Sequence, residues 1–157
     1  MTDTSARPDN SALFDHSALP DLTAGPILLY DGSCGVCALS VQWILTHERS
    51  HSLRFAALQS PTGKALVADA QVGSDVDSLI WVEAQADQSI RARVWSDAVL
   101  SVVRYVGGPW KVFSLFGFVP RALRDPAYRL FAHYRARVMA RSCLVPGAEQ
   151  RRRFLGA

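Results

Sequence analysis

The sequence predicts an α/β domain in the order β-α-β-α-β-β-α, followed by additional helices toward the C-terminus. Three observations carry that prediction. A short apolar run, Ile27-Leu28-Leu29-Tyr30, stops at Asp31-Gly32 and gives way to a segment of helical periodicity. A second β-rich run, Leu53-Arg54-Phe55-Ala56-Ala57-Leu58, follows that helix, which is the spacing of a parallel crossover unit. Farther on, Ile90, Ala92 and Val94 alternate with Arg91 and Arg93, the mark of a half-buried strand. At 157 residues the chain has the length of one domain and can bury a core without staples.

The elements follow in order. Residues 1–25 mix Ser, Pro, Asp, Asn and Thr with scattered apolar side chains and read as a poorly ordered leader ending at Gly25-Pro26. The folded domain is expected over 26–157. Its first strand is apolar on both faces, so it belongs at the centre of a sheet. The first helix opens near Ser33 and places Cys37, Val41, Ile44 and Leu45 on one stripe, with Val36, Leu39 and Trp43 on the neighbouring one. A helix apolar on two sides is expected to be well covered. Ser60-Pro61 supplies a cap and a proline at the first helical position, so a second helix is expected over 61–71 despite Gly63.

Residues 78–83 and 90–95 flank the polar Gln85-Ala86-Asp87-Gln88 and form an expected hairpin with an exposed edge, which Arg91 and Arg93 protect against edge-to-edge pairing. Ser96 is the expected cap of a helix over 97–106. Gly107-Gly108-Pro109 ends it, and from about residue 107 a helical extension begins with an apolar segment over 110–119. Asp125-Pro126 repeats the cap-then-proline pattern and is expected to open a last helix running to about residue 141.

Composition narrows the class. Hydrophobic residues make up 49% and charged residues 20%, the balance of a globular chain and not of a disordered one. The first sixteen residues lack a basic region followed by an apolar one, so the expected location is cytoplasmic. The apolar stretch 98–119 is interrupted by Arg104, Lys111 and Gly107-Gly108-Pro109, which argues against a membrane span. The net charge of +3 conceals a polarity: residues 1–103 carry 6 basic against 12 acidic side chains, and residues 104–157 carry 11 against 2. Such a polarity suits an anionic partner, or two faces of one domain that attract each other.

The chemistry is concentrated in Asp31-Gly32-Ser33-Cys34-Gly35-Val36-Cys37, where a core strand passes into a helix. Unpaired N–H groups and the positive end of the helix dipole stabilise a thiolate there, so Cys34 is the expected nucleophile. Cys37, three residues on and on the same side of the helix, is placed to attack a mixed disulfide on Cys34. Asp31 is either a proton acceptor for Cys37 or an ordinary turn residue. A C-x-x-C pair is also half of a zinc site, for which Cys143 with His47, His51 or His133 are the available ligands. No second close-spaced pair exists, so the redox reading is preferred and no metal is expected. Cys143 is left outside the active pair. The four tryptophans and four histidines read as packing and surface residues.

On the last helix Arg129, His133, Arg137 and Arg141 recur every fourth residue beside an apolar face of Leu130, Phe131, Tyr134 and Val138. A face docked on the acidic part of the domain is the expected arrangement, and peripheral membrane contact through Arg129, Arg137 and Arg141 the alternative. Arg151-Arg152-Arg153 is too short a run to indicate nucleic acid.

Tyr30-Asp31-Gly32-Ser33-Cys34-Gly35-Val36-Cys37, Ala57-Leu58-Gln59-Ser60, Ser96-Asp97-Ala98, Gly107-Gly108-Pro109-Trp110, Asp125-Pro126-Ala127-Tyr128-Arg129 and Arg153-Phe154-Leu155 occur in one continuous order that resembles the DCC family of thiol-disulfide oxidoreductases. The resemblance spans about residues 27–155. It implies a thioredoxin-like fold, with Asp31, Cys34 and Cys37 as the Asp-x-x-Cys-x-x-Cys signature. It also implies thiol-disulfide exchange with a disulfide- or dithiol-containing substrate, protein or small thiol, without a bound cofactor and with an external reductant. One departure is that residues 73–79 contain no proline, where ordinary thioredoxins carry a cis-proline before the third strand. The alternative from another class is a non-catalytic adaptor that docks on a membrane surface or a protein through its basic C-terminal helices.

Overall fold

The structure, a computed structural model, describes residues 20–73, 76, 79–86, 89–138 and 150–156. Strand β1 (Ile27–Tyr30) lies at the centre of the sheet, because its side chains are apolar toward both faces and only a central strand buries both. It pairs in parallel with β2 (Arg54–Ala57) after crossing through α1 (Gly35–His47). On its other side β3 (Ile80–Ala84) runs antiparallel, and β4 (Ile90–Val94) pairs antiparallel with β3 at the edge. A fifth strand, β5 (Phe154–Leu155), joins β2 in parallel at the opposite edge, giving the order β4-β3-β1-β2-β5. With α1 following β1, α2 (Pro61–Asp69) following β2 and α3 (Trp95–Val106) following β4, the arrangement is thioredoxin-like.

Pairing register divides the core between the faces. Leu28 stands opposite Phe55 and Trp81, and Phe55 opposite Phe154, so these four side chains share one face of the sheet. There α1 covers them with Cys37, Val41 and Ile44, and α3 with Ala98, Val102 and Val106. The Phe55 and Phe154 rings stack at 5.1 Å. The opposite face presents Ile27, Leu29, Ala56, Ile80 and Val82, and α2 covers it with Leu66.

Helix α2 begins as expected. The Ser60 hydroxyl accepts from the Gly63 N–H at 3.0 Å, with Pro61 in the first turn where its missing N–H costs nothing. Gly63, which weakens a helix in isolation, is here a requirement of packing. A Cβ at that position would lie 2.1 Å from the Ala57 carbonyl oxygen, so α2 approaches the end of β2 more closely than any side chain permits. Gly63→Ala is therefore expected to destabilise the fold by about 1–3 kcal/mol through forced backbone displacement, read as a fall in the urea midpoint.

Two expected helix starts are corrected. Ser96 does not cap α3, which begins one residue earlier at Trp95, and Asp125 does not cap the last helix, α4 (Arg121–Val138), which begins four residues earlier and contains Pro126. One contact explains both: the buried Ser96 hydroxyl donates to the Asp125 carboxylate. Each side chain satisfies the other across two helices instead of closing its own. Arg121 and Arg124 add ion pairs to Asp97, both at 2.6 Å, which hold the first turn of α4 on the start of α3.

Between them, residues Gly108–Phe118 form a 3₁₀ helix, and a single turn of the same kind, Leu22–Ala24, precedes β1 within the expected leader. Asp21 caps that turn, and Arg54 on β2 donates to the Asp21 and Gly25 carbonyls at 2.5 and 3.0 Å. Residues 1–19 and 139–149 lie outside the described part, among them His16, Arg141 and Cys143.

Candidate active site

At the carboxyl end of β1 the chain turns through Asp31, Gly32 and Ser33 into α1. This is the end of an α/β sheet at which ligands are usually bound, since the loops there lie beside helix N-termini. Asp31 organises the turn. Its Oδ1 accepts from the Ser33 N–H at 2.9 Å, the Ser33 hydroxyl at 2.7 Å and the Gln59 side-chain amide at 2.7 Å. Gln59 in turn accepts the Gly32 N–H on its own Oε1 at 3.2 Å. The adjacent ends of β1 and β2 are thereby joined through one amide side chain, and the Cys34 N–H closes the turn on the Asp31 carbonyl at 3.2 Å. These bonds make Asp31 an organiser of the turn.

Cys34 occupies the N-cap of α1, with extended backbone and no hydrogen bond from its side chain to the first turn. Cys34 is part-exposed there. Cys37, one turn in, is 1% exposed and packs in the same core cluster as Leu28 and Val41. The two sulfurs are not joined in a disulfide. The two cysteines thus differ in burial, Cys34 being part-exposed and Cys37 buried. Tyr30 packs against the same cluster, and burial raises its phenol above the ordinary value.

The second apolar stripe of α1 is not covered as expected. Val36, Leu39 and Trp43, with Leu79 before β3 and Phe131 and Tyr134 from α4, line an open groove of about 630 Å³. Its polar member, Ser40, turns its hydroxyl back onto the Val36 carbonyl at 2.8 Å. The groove is thus apolar along its length, and Val36, one of the two residues between the cysteines, is part of its lining. Leu79, just before β3, is a buried apolar side chain.

The remaining expected features lie apart from the pair. Among the described residues no group of His, Cys, Asp and Glu is arranged to hold a metal ion. His47 stacks on Trp43 at 4.9 Å and meets the Trp43 carbonyl through Nδ1, while His51 lies 3.4 Å from Glu48. Arg129 stacks over the Trp95 ring at 3.9 Å. The side chain of Arg137 and the whole of Arg141 fall outside the described part. The apolar face of α4 is not buried as expected: Leu130, Phe131 and Tyr134 are each more than half exposed. The sequence offered Gln59 only within a family motif and the groove residues only as apolar helix faces, with no role in the site. A signal for Gln59 existed, since it directly follows the strand expected to lie parallel beside β1.

Comparison with known proteins agrees with this geometry. The family described as DCC1-like thiol-disulfide oxidoreductase matches residues 28–141. The chain is 33% identical over 132 residues to the uncharacterized protein YuxK of Bacillus subtilis, covering 82% of this chain and 93% of that protein. It is 34% identical over 119 residues to a chloroplastic DCC family protein of Arabidopsis thaliana, covering 74% of this chain and 66% of that one. No solved structure shows significant similarity.

Proposed function

From the premise that the chain belongs to the DCC1-like thiol-disulfide oxidoreductase family, we propose that it reduces a disulfide of a protein or small-thiol substrate through Cys34 and Cys37. The Cys34 thiolate attacks one substrate sulfur, a Cys34–substrate disulfide forms, and the first substrate thiolate leaves with a proton from solvent. Cys37, having lost its proton, then attacks the Cys34 sulfur. A Cys34–Cys37 disulfide forms, the second substrate thiol departs, and two electrons have passed to the substrate. An external dithiol restores the pair. A reducing, cytoplasmic setting suits this direction of electron flow.

The observation that supports the reading best is the contrast between a part-exposed Cys34 at the helix N-cap and a buried Cys37 in the first turn. Asp31 and Gln59 act as positioning residues for the turn that presents Cys34. The apolar groove that Val36 helps to line suits a substrate whose disulfide is flanked by apolar groups.

Redox titration of the purified protein in glutathione buffers, with thiols counted by mass after alkylation, tests the proposal. Cys34 and Cys37 are expected to convert together as a two-electron couple between about −120 and −270 mV, the span of catalytic thiol proteins. A pair that never forms a disulfide would overturn it.

A further inference from the structure

The 3₁₀ helix Gly108–Phe118 and the start of α4 carry a surface that the redox site does not use. Phe113, Leu115, Phe116, Phe118 and Leu123 are 45–87% exposed, with Phe118 the highest. Soluble monomers seldom expose so many large apolar side chains together unless something covers them. No helix among the described residues is long and apolar enough to cross a membrane, so any lipid contact made here is peripheral.

Charge identifies what would cover it. Phe118 also lines a pocket of about 400 Å³ into which Arg91, Arg93, Arg104, Arg121 and Arg124 converge from β4, α3 and α4. Among the described residues, two carboxylates pair with three of these five guanidinium groups. Asp97 takes Arg121 and Arg124, and Glu83 takes Arg93 at 2.8 Å. Among the described residues no carboxylate pairs with Arg91 or Arg104, and the buried Nε of Arg124 has no hydrogen-bond partner. Between Asp97 and Asp125 the sequence contains no acidic residue. A second copy of this surface would repel the first, whereas phosphate groups beside hydrocarbon would satisfy arginines and phenylalanines together.

We propose that this face docks on an anionic bilayer, with Phe116 and Phe118 entering the acyl boundary and the arginine pocket receiving lipid phosphates. Membrane contact, the alternative that the sequence offered at Arg129, Arg137 and Arg141, is thereby assigned to a different set of arginines. Attachment of this kind is independent of the thiol chemistry.

The test is co-sedimentation of the full chain with vesicles of phosphatidylcholine alone and of phosphatidylcholine with about 30% phosphatidylserine, at physiological salt. Binding is expected to the anionic vesicles only. R91A/R104A should weaken it about 30-fold, from the loss of two cationic contacts, and F116D/F118D should abolish it. Both variants should keep the Cys34–Cys37 redox couple of the parent, which shows that they fold. Equal binding to neutral vesicles, binding indifferent to F116D/F118D, or no binding with dimers seen by gel filtration would each overturn the proposal.

Discussion

Cys34→Ser is expected to abolish disulfide reduction, and Cys37→Ser to stop it one step later, with the protein trapped on its substrate. The asymmetry follows from placement. Cys34 is the part-exposed member at the helix N-cap, and Cys37 is 1% exposed behind it. A thiolate must reach the substrate sulfur to attack, so removal of the outer sulfur leaves no first step. Removal of the inner one leaves the first step intact and removes resolution. Offered a model disulfide under non-reducing conditions, Cys37→Ser should therefore accumulate a covalent adduct that dithiothreitol releases, and Cys34→Ser should show none. Residual turnover in both is expected at least 10³-fold below the parent. If Cys37→Ser formed no adduct and Cys34→Ser did, the roles would be reversed.

Arg153→Ala should cost about 3–5 kcal/mol of stability, a large share of what holds a domain of this size together. The Glu48 side chain at the C-terminal end of α1 is fully buried, and Arg153 meets both of its oxygens, one of them through Nη2 at 2.7 Å. Arg153 also donates through Nε to the Leu53 carbonyl at 2.8 Å. Tyr105 completes the cluster by donating to Glu48 at 3.0 Å and accepting the Leu53 N–H at 2.8 Å. Loss of the guanidinium strands a buried carboxylate and detaches the segment that leads into β5, so Phe154 loses its anchorage beside Phe55. Arg152→Ala, at an exposed neighbour, should stay within about 0.5 kcal/mol of the parent in urea unfolding. The double change E48L/R153L should recover much of the loss, because apolar side chains can replace a buried pair. Equal costs for R152A and R153A would show that the cluster is not structural.

The sequence was most legible where local chemistry and the final fold agree. The apolar run of β1, the Asp31-Gly32 stop and the stripe of Cys37, Val41 and Ile44 are read from neighbours a few residues apart, and the fold uses them as read. Where the reading failed, a distant partner had overridden a local preference. Ser96 and Asp125 are good caps in isolation, but they bond each other over 29 positions. Strand β5 is two residues long and has no periodicity to detect; the Arg153–Glu48 pair, over 105 positions, fastens the segment beside it.

By itself, then, the sequence determined the order of elements around the central strand and the presence of a C-x-x-C pair at the start of the first helix. Both depend on residue type and short spacing. Only the tertiary structure decided that Gln59 ties the active-site turn, that the second apolar stripe of α1 lines a groove, and that five arginines meet beside Phe118. These depend on where separate elements come to rest, and that is set by sheet register and close approaches such as Gly63 against Ala57.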